Sequence, residues 1–263
     1  MKIRFNKTTL VSAFAACTIS FSSCTDLSET LYSEIAAEEY EFTDRDYQAM
    51  FAPVYSSLRD MYWGWYSMAD IMDQSSDVWC IPYRIGIGWG DLYVSLHKHE
   101  FHSQIAHFDV AWNRAYSGIN SCNKLLDDPK IQEDEKTSSQ LRAYRAMYYY
   151  LLFDLFRNVP LDTQFAHEEG WLPEQASTQE MWDFLISELN DIKGKCGNDN
   201  IMGKINNYAV NMMLAKLYLN HNAYFRGANE LSYDDSDKSW YGKCIDELNE
   251  IINSGVYSLS NNY

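Results

Sequence analysis

The residues best suited to chemistry gather between positions 63 and 107, in the passage WGWYSMADIMDQSSDVWCIPYRIGIGWGDLYVSLHKHEFH. Trp79, Tyr83, Arg84, Trp89, Asp91 and Tyr93 stand close together in it. A sugar ring presents a C–H face that packs on a flat aromatic ring, while neighbouring polar side chains hydrogen-bond its hydroxyls. Tyr and Trp suit that task because they join a large, rigid apolar area to a polar edge. These six residues form a candidate ligand-binding set. The competing reading is that the rings pack the passage onto the rest of the molecule. The passage shows few long-period patterns and holds four of the eight Trp. It is too aromatic for disorder, and irregular insertions of this length usually carry function.

Other chemistries find less support. His97, His99, His102 and His107, with Glu100, offer metal-ligand types. In an extended strand His97 and His99 would share one face, as zinc ligands sometimes do; Lys98 between them opposes a cation, and no metal is expected. Asp234, Asp235 and Asp237 lack the glycine and terminal glutamate of a calcium loop, so a solvated acidic loop is the simpler reading. The sequence contains no G-x-S-x-G, H-E-x-x-H, P-loop or G-x-G-x-x-G motif. GIGWG at 86–90 is expected to lack the following helix that a phosphate loop needs. Glycoside hydrolysis needs two carboxylates at a set separation, but among 37 acids pairs carry no information. The chain is expected not to be an enzyme and to need no cofactor.

The N-terminus addresses location. Lys2, Arg4 and Lys7 precede the small and apolar run TTLVSAFAACTISF at 8–21, the layout of a secretory signal peptide. The run is too short and too diluted with Ser and Thr to span a bilayer. A buried N-terminal helix would carry a basic end and no capping signal. The segment closes on Phe21-Ser22-Ser23-Cys24, which resembles a bacterial lipoprotein box whose cysteine is acylated. Cys17, after Phe14-Ala15-Ala16, has the same form. Cys24 is preferred, because Thr25, Asp26, Leu27, Ser28 and Glu29 make a solvated tether behind it. A lipid anchor gains about 0.8 kcal/mol per buried CH₂, and stable attachment takes more than one chain.

Cleavage before Cys24 removes three of the 21 bases and none of the 37 acids, leaving a net charge of −19. So acidic a chain is a poor nucleic-acid binder; the charge favours solubility and a neutral or cationic ligand. Cys80, Cys122, Cys196 and Cys244 have wide, irregular spacing with no C-x-x-C, and are expected to be mostly buried free thiols.

Elsewhere the periodicity is helical. Apolar residues recur at helical spacing over 43–62, 108–127, 138–157, 178–193, 204–222 and 238–254. Capping boxes are expected at Thr137–Gln140 and Ser177–Glu180, and Gly255 closes the last helix. The expected pairs are 108–127 with 138–157 and 178–193 with 204–222, in a loose tetratricopeptide-like array. Helix 238–254 is left without a partner, which points to a chain that is truncated or completed from elsewhere.

Several stretches together resemble the SusD/RagB family of nutrient-uptake outer-membrane lipoproteins. They are CTDLSETLYSEI, SSDVWCIPYR, LHKHEFHS with WNRAYSGINSCNKLL, LRAYRAMYYYLLFDLFRNVPLDT, WDFLISELNDI, INNYAVNMMLAKLYLN and IINSGVYSL, in that order. The stretch LRAYRAMYYYLLFDLFRNVPLDT is the most specific, an Arg-Ala-aromatic helix running into an Asn-Val-Pro-Leu turn. The resemblance implies an all-α fold of tetratricopeptide-like hairpins in a right-handed α-α superhelix, interrupted by the aromatic-rich insertion. It implies a signal peptide at 1–23, a lipidated tether at 24–42 and an N-terminal helical domain at 43–263 whose C-terminal half is absent. It further implies a surface-exposed protein, lipid-anchored in the outer membrane, that captures glycans or other nutrients and hands them to a TonB-dependent, SusC-like barrel. The alternative is a helical surface scaffold that binds protein only.

Overall fold

The computed structural model describes residues 43–83, 91–201, 203–226 and 238–260. All but the first three of these belong to one compact unit, Asp46–Tyr263. Among the described residues the fold is all-α and tetratricopeptide-like. Ten helices follow in order: α1 Asp44–Tyr62, α2 Met68–Ser75, α3 Asp91–His97, α4 Ala106–Leu126, α5 Pro129–Glu133, α6 Glu135–Phe156, α7 Thr178–Ile192, α8 Asn207–Leu219, α9 His221–Tyr224 and α10 Ser239–Asn253. A single antiparallel bridge, Pro160 to Gln175, is the only extended pairing among them.

Helix α6 is the axis of the fold. Leu141, Ala143, Tyr144, Ala146, Tyr148, Tyr149, Leu151, Leu152 and Phe153 are all buried, and a helix apolar on most of its circumference must be covered on most sides. Helix α4 covers one side and α7 another. Helix α4 approaches closely because Gly118 has no side chain: a Cβ there would lie 2.1 Å from Cζ of Tyr148. Tyrosine hydroxyls then tie distant carbonyls into the core. Tyr116 donates to the Pro160 carbonyl at 2.7 Å, Tyr144 to Gly203 at 2.7 Å, Tyr149 to Asp162 at 2.6 Å, and Tyr148 to Val54.

A polar cluster joins α4, α6 and α7. Arg145 contacts Glu188 at 2.7 Å and the amide oxygen of Asn123 at 2.9 Å. Arg142 grips Glu188 with two nitrogens and reaches Asp191 at 2.6 Å. Asn123 in turn donates to the carbonyls of Asp162 and Gln164. Burial pushes the Glu188 carboxyl up, but Arg142 and Arg145 outweigh it and hold the group below the usual carboxylate range.

Three expectations need correction. Helix α10 is not an orphan: it packs along α8, while α7 leans mainly on α6. Polar contacts fix that pairing. Asn211 donates to the Glu247 and Glu250 carboxylates at 2.7 Å, and Lys193 at the end of α7 meets the same two acids. Trp240 stacks on Tyr218 and on His221, the latter at 4.1 Å. Second, α6 starts earlier than its expected capping box. Asp134 is the N-cap and accepts from the amides of Lys136 and Thr137, while Gln140 reaches across to the carbonyls of Cys196 and Ile205. The Ser177–Glu180 box at α7 is present. Third, the insertion is less irregular than its sequence suggested, because it contains α2 and α3. A helix does start directly after GIGWG, at Asp91. Tyr93 and Leu96, three residues apart on its one face, are buried. The segment still lacks the Lys-Ser/Thr pair that a phosphate loop carries.

Cys122, Cys196 and Cys244 are buried free thiols, and Cys80 is free and exposed. No helix among the described residues is long and apolar enough to cross a membrane.

Candidate ligand-binding site

Helix α1 ends in the sequence Tyr62-Trp63-Gly64-Trp65-Tyr66. Gly64 takes φ +124° and Tyr66 takes φ +60°. Positive φ is open to glycine and uncommon for other residues. The two turns reverse the chain sharply and leave Trp63 81 % and Trp65 65 % exposed. Tyr66 is held in its unusual conformation by ring contacts with Tyr93 and His107.

Helix α2 begins at once. Ser67 is its N-cap, and a reciprocal capping box links Ser67 and Asp70. Such a box satisfies two otherwise unpaired amides. Behind α2 the chain carries Trp79, which is 48 % exposed. Buried Gln74 steadies this segment by accepting from the Ile81 amide at 2.9 Å.

These elements enclose a cleft of about 420 Å³. Trp63, Trp65 and Trp79 form its aromatic part, with Tyr62 beside them; Asp70 and Asp73 of α2 add carboxylates, and Tyr93 lies at its floor. The floor is tightly built. The Tyr93 hydroxyl donates to Asp70 at 3.4 Å, and burial, helped by Asp70, pushes its pKa up to about 12. His107 is fully buried with its ring edge-on to Tyr93 at 4.7 Å. Neither of its nitrogens has a hydrogen-bond partner, and the Asp70 carboxylate stands 3.8 Å away. Burial lowers the His107 pKa more than Asp70 raises it, so the ring stays neutral.

The residues singled out in the sequence are thus divided. Trp79 and Tyr93 both line the cleft, Trp79 as an exposed ring and Tyr93 as buried floor. Tyr83 is exposed at 59 % but is not part of the cleft wall. Arg84 and Trp89 lie outside the described residues, as does Cys24; Asp91 opens α3, with its side chain outside the description. The histidines do not converge. His97 ends a helix rather than sharing a strand face with His99, and His99 takes φ +57° and meets the Ser75 carbonyl at 2.8 Å. Among the described residues no cluster of His, Cys, Asp or Glu fits a metal ion.

Sequence reasoning passed over Trp63 and Trp65. Their signal was the W-G-W triplet itself: two large rings around a glycine at the end of a helical pattern mark a reversal that throws both rings outward.

No protein-family model matches the sequence, and no curated protein matches it either. Solved structures do match its fold. A laminarin-binding SusD-like protein shares 21 % identity at a TM-score of 0.64, with 85 % of this chain and 46 % of that one covered. A SusD superfamily protein from Parabacteroides distasonis shares 21 % identity at a TM-score of 0.63, covering 84 % and 47 %. Surface glycan-binding protein A from Bacteroides uniformis shares 21 % at a TM-score of 0.59, covering 83 % and 48 %. The fold is therefore that of SusD-like proteins, as the sequence motifs implied. The chain spans about half the length of these structures.

Proposed function

We propose that this protein captures glycan at the cell surface, with the Trp63–Trp65–Trp79 cleft as its contact. The observation that carries the reading is the exposure of three indole rings around one cleft on a SusD-like fold. Large apolar rings held in water lower stability unless something uses them, and the local backbone is bent to keep two of them out. Solved structures of the same fold include a laminarin-binding protein and a surface glycan-binding protein, which agrees with this use.

The wider reading follows the sequence. Residues 1–23 are a signal peptide, Cys24 carries the acyl anchor, and 24–42 tether the helical body at 43–263 to the outer membrane. A TonB-dependent, SusC-like barrel receives the ligand. From the sequence, Tyr83, Arg84, Trp89 and Asp91 are proposed as further ligand contacts. No cofactor and no catalytic residue take part.

Isothermal titration against a panel of neutral oligosaccharides tests the capture. Trp63→Ala and Trp79→Ala are each expected to weaken binding about ten-fold, the size typical of a buried aromatic anchor. Unchanged affinity in both variants would move the site elsewhere. Release of reducing sugar would make the protein a hydrolase, and binding of the barrel with no glycan affinity would make it a scaffold. For the anchor, Cys24→Ala should abolish incorporation of labelled fatty acid and release the protein from the outer-membrane fraction.

A further inference from the structure

The charge around the cleft has its own pattern. Asp70 and Asp73 lie three residues apart on α2, on one face of the helix. They differ in occupation. Asp70 is engaged by the Ser67 amide and the Tyr93 hydroxyl. Among the described residues the Asp73 carboxylate has no hydrogen bond or ion pair, yet it lines the cleft beside the three indoles. No described lining residue is basic. Asp73 also sits in the last turn of α2, where the helix dipole disfavours a negative charge. Structure gains nothing from it there.

We propose that Asp73 makes the cleft charge-selective, admitting neutral or amino-bearing sugars and rejecting uronic-acid or sulfated ones. This rests on the glycan-capture reading above. A free carboxylate accepts hydrogen bonds from the hydroxyls of a neutral sugar whose C–H face lies on an indole. It attracts a protonated amino sugar, which the indole faces also favour. A sugar carboxylate in the same place meets an unpaired like charge a few ångströms away, and the repulsion weakens its binding. The net charge of the whole chain, −16, reinforces the bias at long range.

The test uses paired oligosaccharides that differ only at C6: neutral hexose chains and their uronate counterparts. The wild type should bind the neutral member at least about ten-fold more tightly at low salt, and added salt should narrow the gap. Asp73→Asn keeps an acceptor oxygen and removes the charge. It should cut the neutral-over-uronate preference several-fold, chiefly by raising uronate binding, and leave the melting temperature unchanged or higher. Equal or tighter binding of uronates by the wild type would overturn the selectivity while leaving glycan capture in place. So would an unchanged preference in Asp73→Asn. Failure to bind any member of the panel, neutral or acidic, would overturn the capture reading and this inference with it.

Discussion

At the scale of single residues, His107 is the group with most to lose. A buried polar atom without a partner costs about 1–3 kcal/mol, and this ring has two such atoms. Its folded pKa is depressed from 6.5. As pH falls through 6.5, the unfolded chain therefore takes up a proton that the folded one refuses, and stability declines. Urea unfolding midpoints should fall between pH 7 and pH 5. In His107→Phe, which keeps the aromatic packing against Tyr66 and Tyr93, the slope over that interval should flatten. The residue scale was also the least legible in the sequence. Tyr93 and Trp79 look alike as letters, but one faces the core of α3 and the other follows a helix end. That difference depends on contacts with α2 and α4, which no local pattern encodes.

At the scale of elements, two features set the packing and can be changed one at a time. Gly118→Ala would drive a methyl into the Tyr148 ring, and overpacking of this kind costs about 1–3 kcal/mol. A lowered melting temperature is expected, with Tyr148→Leu and Gly118→Ala together losing less than the sum of the two single variants. Ser177→Ala removes one half of the α7 capping box and should cost about 1 kcal/mol, read from chemical denaturation. Most helices were legible because their apolar residues recur at helical spacing. The N-cap of α6 was not, because Asp134 and Thr137 both carry capping chemistry and only tertiary contacts of Gln140 decide between them. The α8–α10 pairing was hidden for a similar reason. Its polar determinants, Asn211 with Glu247 and Glu250, are residues that a search for apolar stripes passes over.

At the scale of the molecule, the Arg142–Arg145–Glu188 cluster holds α6 to α7, and Arg145 carries the tie on to α4 through Asn123. Breaking a buried ion pair by removing one partner costs about 3–5 kcal/mol, so Arg145→Met should destabilise by an amount near that range, somewhat reduced because Arg142 still pairs Glu188. The depressed Glu188 pKa gives stability that is complete above about pH 4.5 and disappears as pH falls further. In Glu188→Gln this acid limb should shrink, as measured by circular dichroism across pH 2–6. The overall architecture was legible because six helical stripes and an aromatic block in a set order leave few alternatives. Ile245 and Ile252 of α10 were expected in its apolar stripe and are instead exposed.

The tyrosines that hold the core together also give it an optical reporter. Tyr116, Tyr144, Tyr148 and Tyr149 each lend a hydroxyl to a backbone carbonyl. Burial, in each case the main cause, raises their pKa well above 10. In alkali the unfolded chain would ionise these phenols while the native protein cannot, so folding weakens as pH climbs past 10. Phenolate absorbance should first rise smoothly from tyrosines outside this core. The core tyrosines should add theirs in one late, abrupt step that coincides with the loss of helix, so that the colour change and the collapse of the fold are a single event.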